Sequence, residues 1–142
     1  GAGACSAGAG ATSGYPNGLI PSSALCSIGG GHMLRADAAK AFQSMNAAYR
    51  KDMGSSICIT DSYRSLAGQQ AVFRSRPHLA AVPGTSNHGW GVAVDLCGGI
   101  QTFGSRQHQW MRDNAPRFGW IHPAWARQGG SKPEAWHWEY TG

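Results

Sequence analysis

Between Ala36 and Asp52 apolar side chains return every three or four residues, at Ala38, Phe42, Met45 and Tyr49, with Met53 one step on. That period puts them on one face of a helix, and Gly54 supplies its stop. Met45 and Met53 read as core filling rather than as ligands. Two further helices are expected, over Leu66 to Arg74, ended before Pro77, and over Arg106 to Asn114, halted near Pro116. Elsewhere the pattern changes. Ser56 to Thr60 is rich in β-branched residues, and Val92 to Cys97 is apolar except for Asp95. Gly119 to His122 and Trp136 to Tyr140 complete the strand candidates. Helices interleave with strands, yet a loop separates the final two strands. The expectation is therefore an α+β fold, a small, mainly antiparallel sheet flanked by helices with a cleft on the sheet.

Tyr15-Pro16-Asn17-Gly18 and Gly29-Gly30-Gly31 mark a turn and a loop. Residues 1–14 are almost entirely Gly, Ala and Ser, which predicts a flexible segment unless Cys5 pins it, with one domain over 15–142. A length of 142 residues suits one core rather than two. No apolar run approaches the ~20 residues that cross a bilayer. There is no initiator Met and no charged n-region or apolar h-region, so the expectation is a processed or trimmed chain whose export signal has gone.

The formal charge of +5 would suit nucleic acid, but the basic residues are scattered and only 13% of residues are charged. A solvated basic surface on a monomer is the plainer reading, without nucleic acid. For an exported protein, anionic wall polymers are the nearer partner. Four cysteines, Cys5, Cys26, Cys58 and Cys97, lack the close pairs of a zinc knuckle. Of three connectivities, Cys5–Cys26 and Cys58–Cys97 are favoured, because the second pair lies in two expected strands that could be neighbours. Disulfides in turn favour secretion.

The chemistry concentrates in two blocks. Ser86 to Leu96 offers His88 and, seven positions on, Asp95; Glu134 to Tyr140 offers His137, with Glu134 three residues before it. Two imidazoles and a carboxylate are a common way to hold catalytic Zn2+ with one position left open. Zinc lowers the pKa of water from about 15.7 to around 7, and a nearby carboxylate can accept the proton. Strand alternation puts His137 and Glu139 on one face and Trp136, Trp138 and Tyr140 on the other. Glu134 is then the base, reaching in from the loop, and Glu139 is a rival for either role. Gly89 and Gly91 would let the backbone turn tightly beside His88. The residues alone read as a zinc peptidase.

The same residues resemble the VanY-type zinc D-alanyl-D-alanine carboxypeptidases and endopeptidases, bacterial enzymes that trim peptidoglycan. The family pattern Ser-x-His-x-x-Gly-x-Ala-x-Asp is met by Ser86, His88, Gly91, Ala93 and Asp95, and Glu-x-x-His-Trp by Glu134, His137 and Trp138. A third pattern, Ser-x-Tyr-Arg-Ser followed by Gln, resembles Asp61-Ser62-Tyr63-Arg64-Ser65 and Gln69, departing at Asp61 and Ser62 where many members have Ser and Gly. The resemblance runs from about Leu34 to Tyr140. It implies that His88, Asp95 and His137 bind Zn2+, that Glu134 is the base, and that Arg64 faces the substrate carbonyl or carboxylate. Ser86, Gln69, Tyr63 and Trp136 are then expected to meet the substrate, with loops such as Arg76 to Thr85 and Pro123 to Lys132 as its walls. The implied reaction is D-Ala–D-Ala carboxypeptidase hydrolysis of peptidoglycan peptides in the cell wall.

Three alternatives compete. A D,D-endopeptidase would cut cross-links with the same residues. Ferrous oxygenase sites also use two histidines and a carboxylate, but usually with His and Asp two residues apart, and they do not need Glu134. A non-catalytic wall-binding relative would be expected to close its zinc with a fourth protein ligand. The remaining histidines, His32, His78, His108 and His122, match no motif and read as surface or packing residues. Of the tryptophans, Trp90 and Trp136 flank the expected site.

Overall fold

The amphipathic stripe forms α1 (Ala36–Met53), which buries Ala38, Ala39, Phe42, Met45 and Tyr49 and is capped by Gly54. The computed structural model describes residues 5, 7, 8 and 10–142; residues 1–4, 6 and 9 of the expected flexible segment lie outside the described residues. Before α1 comes a hairpin of β1 (Cys26–Gly29) and β2 (His32–Leu34). This hairpin is an addition to the sequence reading, which saw only the glycine loop between its strands. Three or four residues per strand are too few for an alternation to register against that loop.

Four strands make the main sheet, β3 (Cys58–Asp61), β4 (Ala93–Cys97), β5 (Trp120–Ile121) and β6 (His137–Tyr140), ordered β3-β4-β6-β5 and antiparallel throughout. The expected strand over Ser56 to Thr60 lies one to two residues further on. A register shift between Ile59 and Asp61 brings Asp61 opposite Asp95. The helices α2 (Leu66–Ser75) and α3 (Arg106–Asn114) match their expected spans to within a residue. The N-cap side chains of Ser65 and Ser105 accept hydrogen bonds from Gly68 N–H and His108 N–H, which fixes where each helix starts. The α+β architecture is as expected.

Alternation divides the sheet. Val94, Leu96 and Trp138 face α1 and join Phe42, Met45 and Trp120 in the main core, where Phe42 meets Trp120 edge-on at 5.8 Å. Asp95 and His137, directly opposite one another in the β4–β6 register, belong to the other face. The helix therefore secures one side of the sheet while leaving the other for a cleft. Disulfides join Cys58 to Cys97 across β3 and β4 and Cys5 to Cys26 at the start of β1, with Cα separations of 4.8 and 5.2 Å. Ala7, just past Cys5, packs against the main core. Among the described residues no helix is long and apolar enough to cross a membrane.

Candidate metal centre

Two strands and one tight turn bring His88, Asp95 and His137 together. Asp95 and His137 are cross-strand neighbours. His88 arrives on a 3-10 turn (Asn87–Trp90), capped by the Ser86 hydroxyl, which accepts from His88 N–H at 3.2 Å. The turn ends at Gly91 with φ 72°, and a Cβ there would meet the Arg35 backbone nitrogen at 2.8 Å. A Cβ at Gly89 would run into the Asn17 side-chain oxygen. Asn17 belongs to the Tyr15–Gly18 turn, which lies against this loop. Its amide donates to Ser86 O at 2.7 Å, Gly18 N–H donates to Gly89 O, and Gly18 O accepts from Leu66 N–H. The sequence marks that turn but not its docking beneath His88.

One ligand atom from each of the three residues lies within 4.8 Å of the others. His88 Nδ1–H donates to Ser62 O at 2.8 Å, which leaves Nε2 facing Asp95 Oδ1 at 3.2 Å. His137 Nε2 lies 2.8 Å from Glu139 Oε2, and its Nδ1 lies 3.1 Å from Asp95 Oδ1. Each imidazole thus has one nitrogen held by an oxygen behind it and the other turned to the shared carboxylate. That is the arrangement by which partners behind a ligand set its tautomer and direction. Two imidazole nitrogens and a carboxylate oxygen fit a borderline-soft divalent cation such as zinc. Glu139, a rival for ligand or base in the sequence reading, sits behind His137.

Burial works against a charge on Asp95, yet hydrogen bonds from His137 and His88 overcome it and hold its carboxyl well below the usual range. Burial would also depress the His137 imidazole, but bonds to Asp95 and Glu139 push it up to about 9. Burial raises the Glu134 carboxyl; the charges of His137 and Lys132 work the other way and that of Asp95 with it. Burial opposes the charge of Glu139 as well, and its bonds to His137 and Asn87 bring it below its ordinary value.

The three residues open on a cleft of about 530 Å³ whose lining also includes Arg64, Ser86, Glu134, Glu139 and Trp136. Glu134 is held at its backbone, its N–H donating to Ala126 O and its carbonyl accepting from His137 N–H and His122 Nε2–H. His122 stacks on Trp138 with ring centroids 4.8 Å apart, so this packing histidine also carries the loop that presents Glu134. Arg64 pairs with Asp61, donates through Nη1 to Gln69 Oε1 at 2.7 Å, and brings Nη2 to 3.6 Å from Asp95 Oδ2. The surface pairing with Asp61 and the cleft-facing position thus hold together.

Two expected substrate contacts turn inward. Gln69 is buried and does not line the cleft; it bridges Arg64 and Ala81 O, because a 3% exposed amide must spend its donor and acceptor on protein. Tyr63 accepts from Ile20 N–H at 3.0 Å and packs beside Ile20, Ala24 and Leu25. Trp136, placed by alternation on the face of Trp138 yet also expected to meet the substrate, lies just before β6 and lines the cleft. Trp90 is exposed but outside the lining. Trp125 was not singled out from sequence, yet its ring lies 5.1 Å from that of His137. It sits on a short 3-10 turn (Ala124–Ala126) within an expected wall, and no local pattern of the sequence sets it apart.

Residues 31–142 match the VanY family, described as D-alanyl-D-alanine carboxypeptidase. A D-alanyl-D-alanine carboxypeptidase of Enterococcus faecalis is 41% identical over 66 residues, 44% of this chain. The match spans only about a quarter of that relative's length, 25%. Among solved structures, VanYB in complex with D-alanine-D-alanine superposes with a TM-score of 0.68 at 27% identity, covering 83% of this chain and 77% of that one. A mutant of the vancomycin-resistance D,D-pentapeptidase VanY in complex with Zn(II) gives 0.63 at 28% identity, covering 83% and 78%. The family match takes in every strand of the main sheet and both histidine blocks, and the chain belongs to the VanY family of D-alanyl-D-alanine carboxypeptidases.

Proposed function

We propose that this chain is a zinc-dependent D,D-peptidase that hydrolyses peptidoglycan stem peptides, removing the terminal residue of D-Ala–D-Ala as its main reaction. The observation that carries the reading is the convergence of His88, Asp95 and His137 beside Glu134 and Arg64 in one cleft. Relatives solved with zinc and with D-alanine-D-alanine support it. The paired cysteines favour an oxidising, extracytoplasmic setting such as the cell wall.

His88 through Nε2, Asp95 through a carboxylate oxygen and His137 through Nδ1 would hold the ion. When bound, zinc supplies Lewis acidity and makes water a competent nucleophile near neutral pH. Glu134 takes a proton from the attacking water on a carboxylate oxygen and delivers it to the departing amine nitrogen. Its raised pKa suits both halves of that transfer, since a carboxyl pushed towards neutrality both accepts and releases a proton readily. Arg64, clamped by Asp61 and Gln69, presents a fixed guanidinium to the negative charge that develops on the carbonyl oxygen. Trp125 and Trp136 bound the cleft with apolar surface and reduce the water around the reacting groups.

The test is mass spectrometry of defined muropeptides, monomeric and cross-linked, incubated with zinc-loaded and with chelated protein. Loss of one D-alanine from monomers, only with zinc, is expected. Cleavage confined to cross-linked dimers would make the chain an endopeptidase, and binding without cleavage would remove the enzymatic reading.

A further inference from the structure

The cleft's charges are not evenly spread. Its lining carboxylates are Asp95, Glu139 and Glu134. Asp95 and Glu139 are committed to the histidines, and Glu134 is the base of the proposed reaction. Three cations line the same cleft: Arg64, Arg76 and Lys132. Arg64 is spent on Asp61 and Gln69. Arg76 and Lys132 are not spent in this way, because neither forms an ion pair with a carboxylate among the described residues.

Both line the cleft without belonging to the His88, Asp95 and His137 set. Arg76 is exposed and directly follows α2, and Lys132 belongs to the loop that leads into Glu134. Lys132 is held in place, its Nζ donating to Leu79 O at 2.8 Å and so tying that loop to the segment after Arg76. One of its three ammonium donors is thereby used and two remain. The same lining carries the apolar side chains of Val72, Leu79 and Trp136. A cleft whose uncommitted charges are positive favours an anionic ligand and disfavours an amine.

We infer that the cleft selects peptides carrying a free carboxylate upstream of the scissile bond, over counterparts with a carboxamide or an amine there, through Arg76 and Lys132. The inference rests on the D,D-peptidase reading and names the substrate class of that site.

Three acetylated peptides ending in D-Ala–D-Ala test it, identical except for the preceding residue, whose side chain ends in a carboxylate, a carboxamide or an amine. Both kcat/KM and calorimetric binding are measured. The carboxylate peptide should lead the carboxamide by about fivefold, the size of one favourable exposed ion pair, with the amine lowest. The ratio should shrink at about 0.5 M salt. It should fall towards one in the double variant Arg76→Gln, Lys132→Gln. Equal kcat/KM and equal binding for all three peptides would overturn the inference and leave the peptidase reading standing. So would a ratio that survives in the double variant. Tighter binding of the carboxylate peptide without hydrolysis of any would do the reverse, sustaining the charge preference and removing the peptidase reading.

Discussion

Glu134 and Glu139 are three and two residues from His137 on either side, and their surroundings separate them. Glu139 is bonded to His137 Nε2, whereas the Glu134 carboxyl lines the cleft and its backbone is what the protein grips. Glu134→Gln should keep the metal and lower turnover by about 10²–10⁴, the loss typical of a general base. Glu139→Gln should instead weaken metal affinity by about 10–100-fold, as loss of a partner behind a ligand does. Competition with a chelator and steady-state kinetics on both variants check the pair, and an exchange of the two patterns would exchange the roles. His137 sets the pH dependence. In chelated protein its pKa stands near 9 against an ordinary 6.5, so its contribution to stability is complete below 6.5 and is lost as pH rises through about 9. The melting temperature of chelated protein should therefore fall over that interval. Zinc must displace the Nδ1 proton, so apparent zinc affinity should climb with pH up to about 9 and then level. Isothermal titration across that range in two buffers of different ionisation enthalpy checks the released proton.

Single elements do more than carry residues. The 3-10 turn of His88 is held from below by the Asn17–Gly18 turn and from the side by Arg64 N–H, which donates to His88 O. Asn17 is buried, so Asn17→Ala leaves Ser86 O without its 2.7 Å donor, at a cost of about 1–3 kcal/mol. The expected result is a lower melting temperature together with weaker zinc binding. A substitution that merely loosens a surface turn would lower the first and spare the second. The region before residue 31 lies outside the family match, yet it carries this support. Strand β4 shows the same economy, with Val94 and Leu96 in the core and Asp95 between them at the cleft.

Across the whole molecule, α1 and the sheet share one core, while the cleft face depends on loops of little regular structure. Covalent links brace that plan at two places. Cys58–Cys97 closes a 39-residue separation and joins β3 to the strand that carries Asp95. Its reduction should remove about 2–4 kcal/mol of stability. For a chain of this size that is roughly 10 °C in melting temperature, measurable by calorimetry with and without reductant.

Much of this plan was legible because it rests on local patterns. The three- and four-residue period of α1 and the prolines that follow α2 and α3 set the helices to within a residue or two. The apolar run around Asp95 marked β4, since a carboxylate there needs a partner to be buried. The residue types of the two histidine blocks likewise named a candidate site before any fold was known. The sequence could not tell that Gln69 and Tyr63 turn inward, that Trp136 leaves the face of Trp138, or that Glu139 stands behind a histidine. Each of these follows from what lies across a strand or a loop, and no spacing along the chain encodes a contact made between segments. The β1–β2 hairpin, the Asn17 support and the cations of the cleft walls belong to that second kind. They became readable only once the tertiary structure set distant residues side by side.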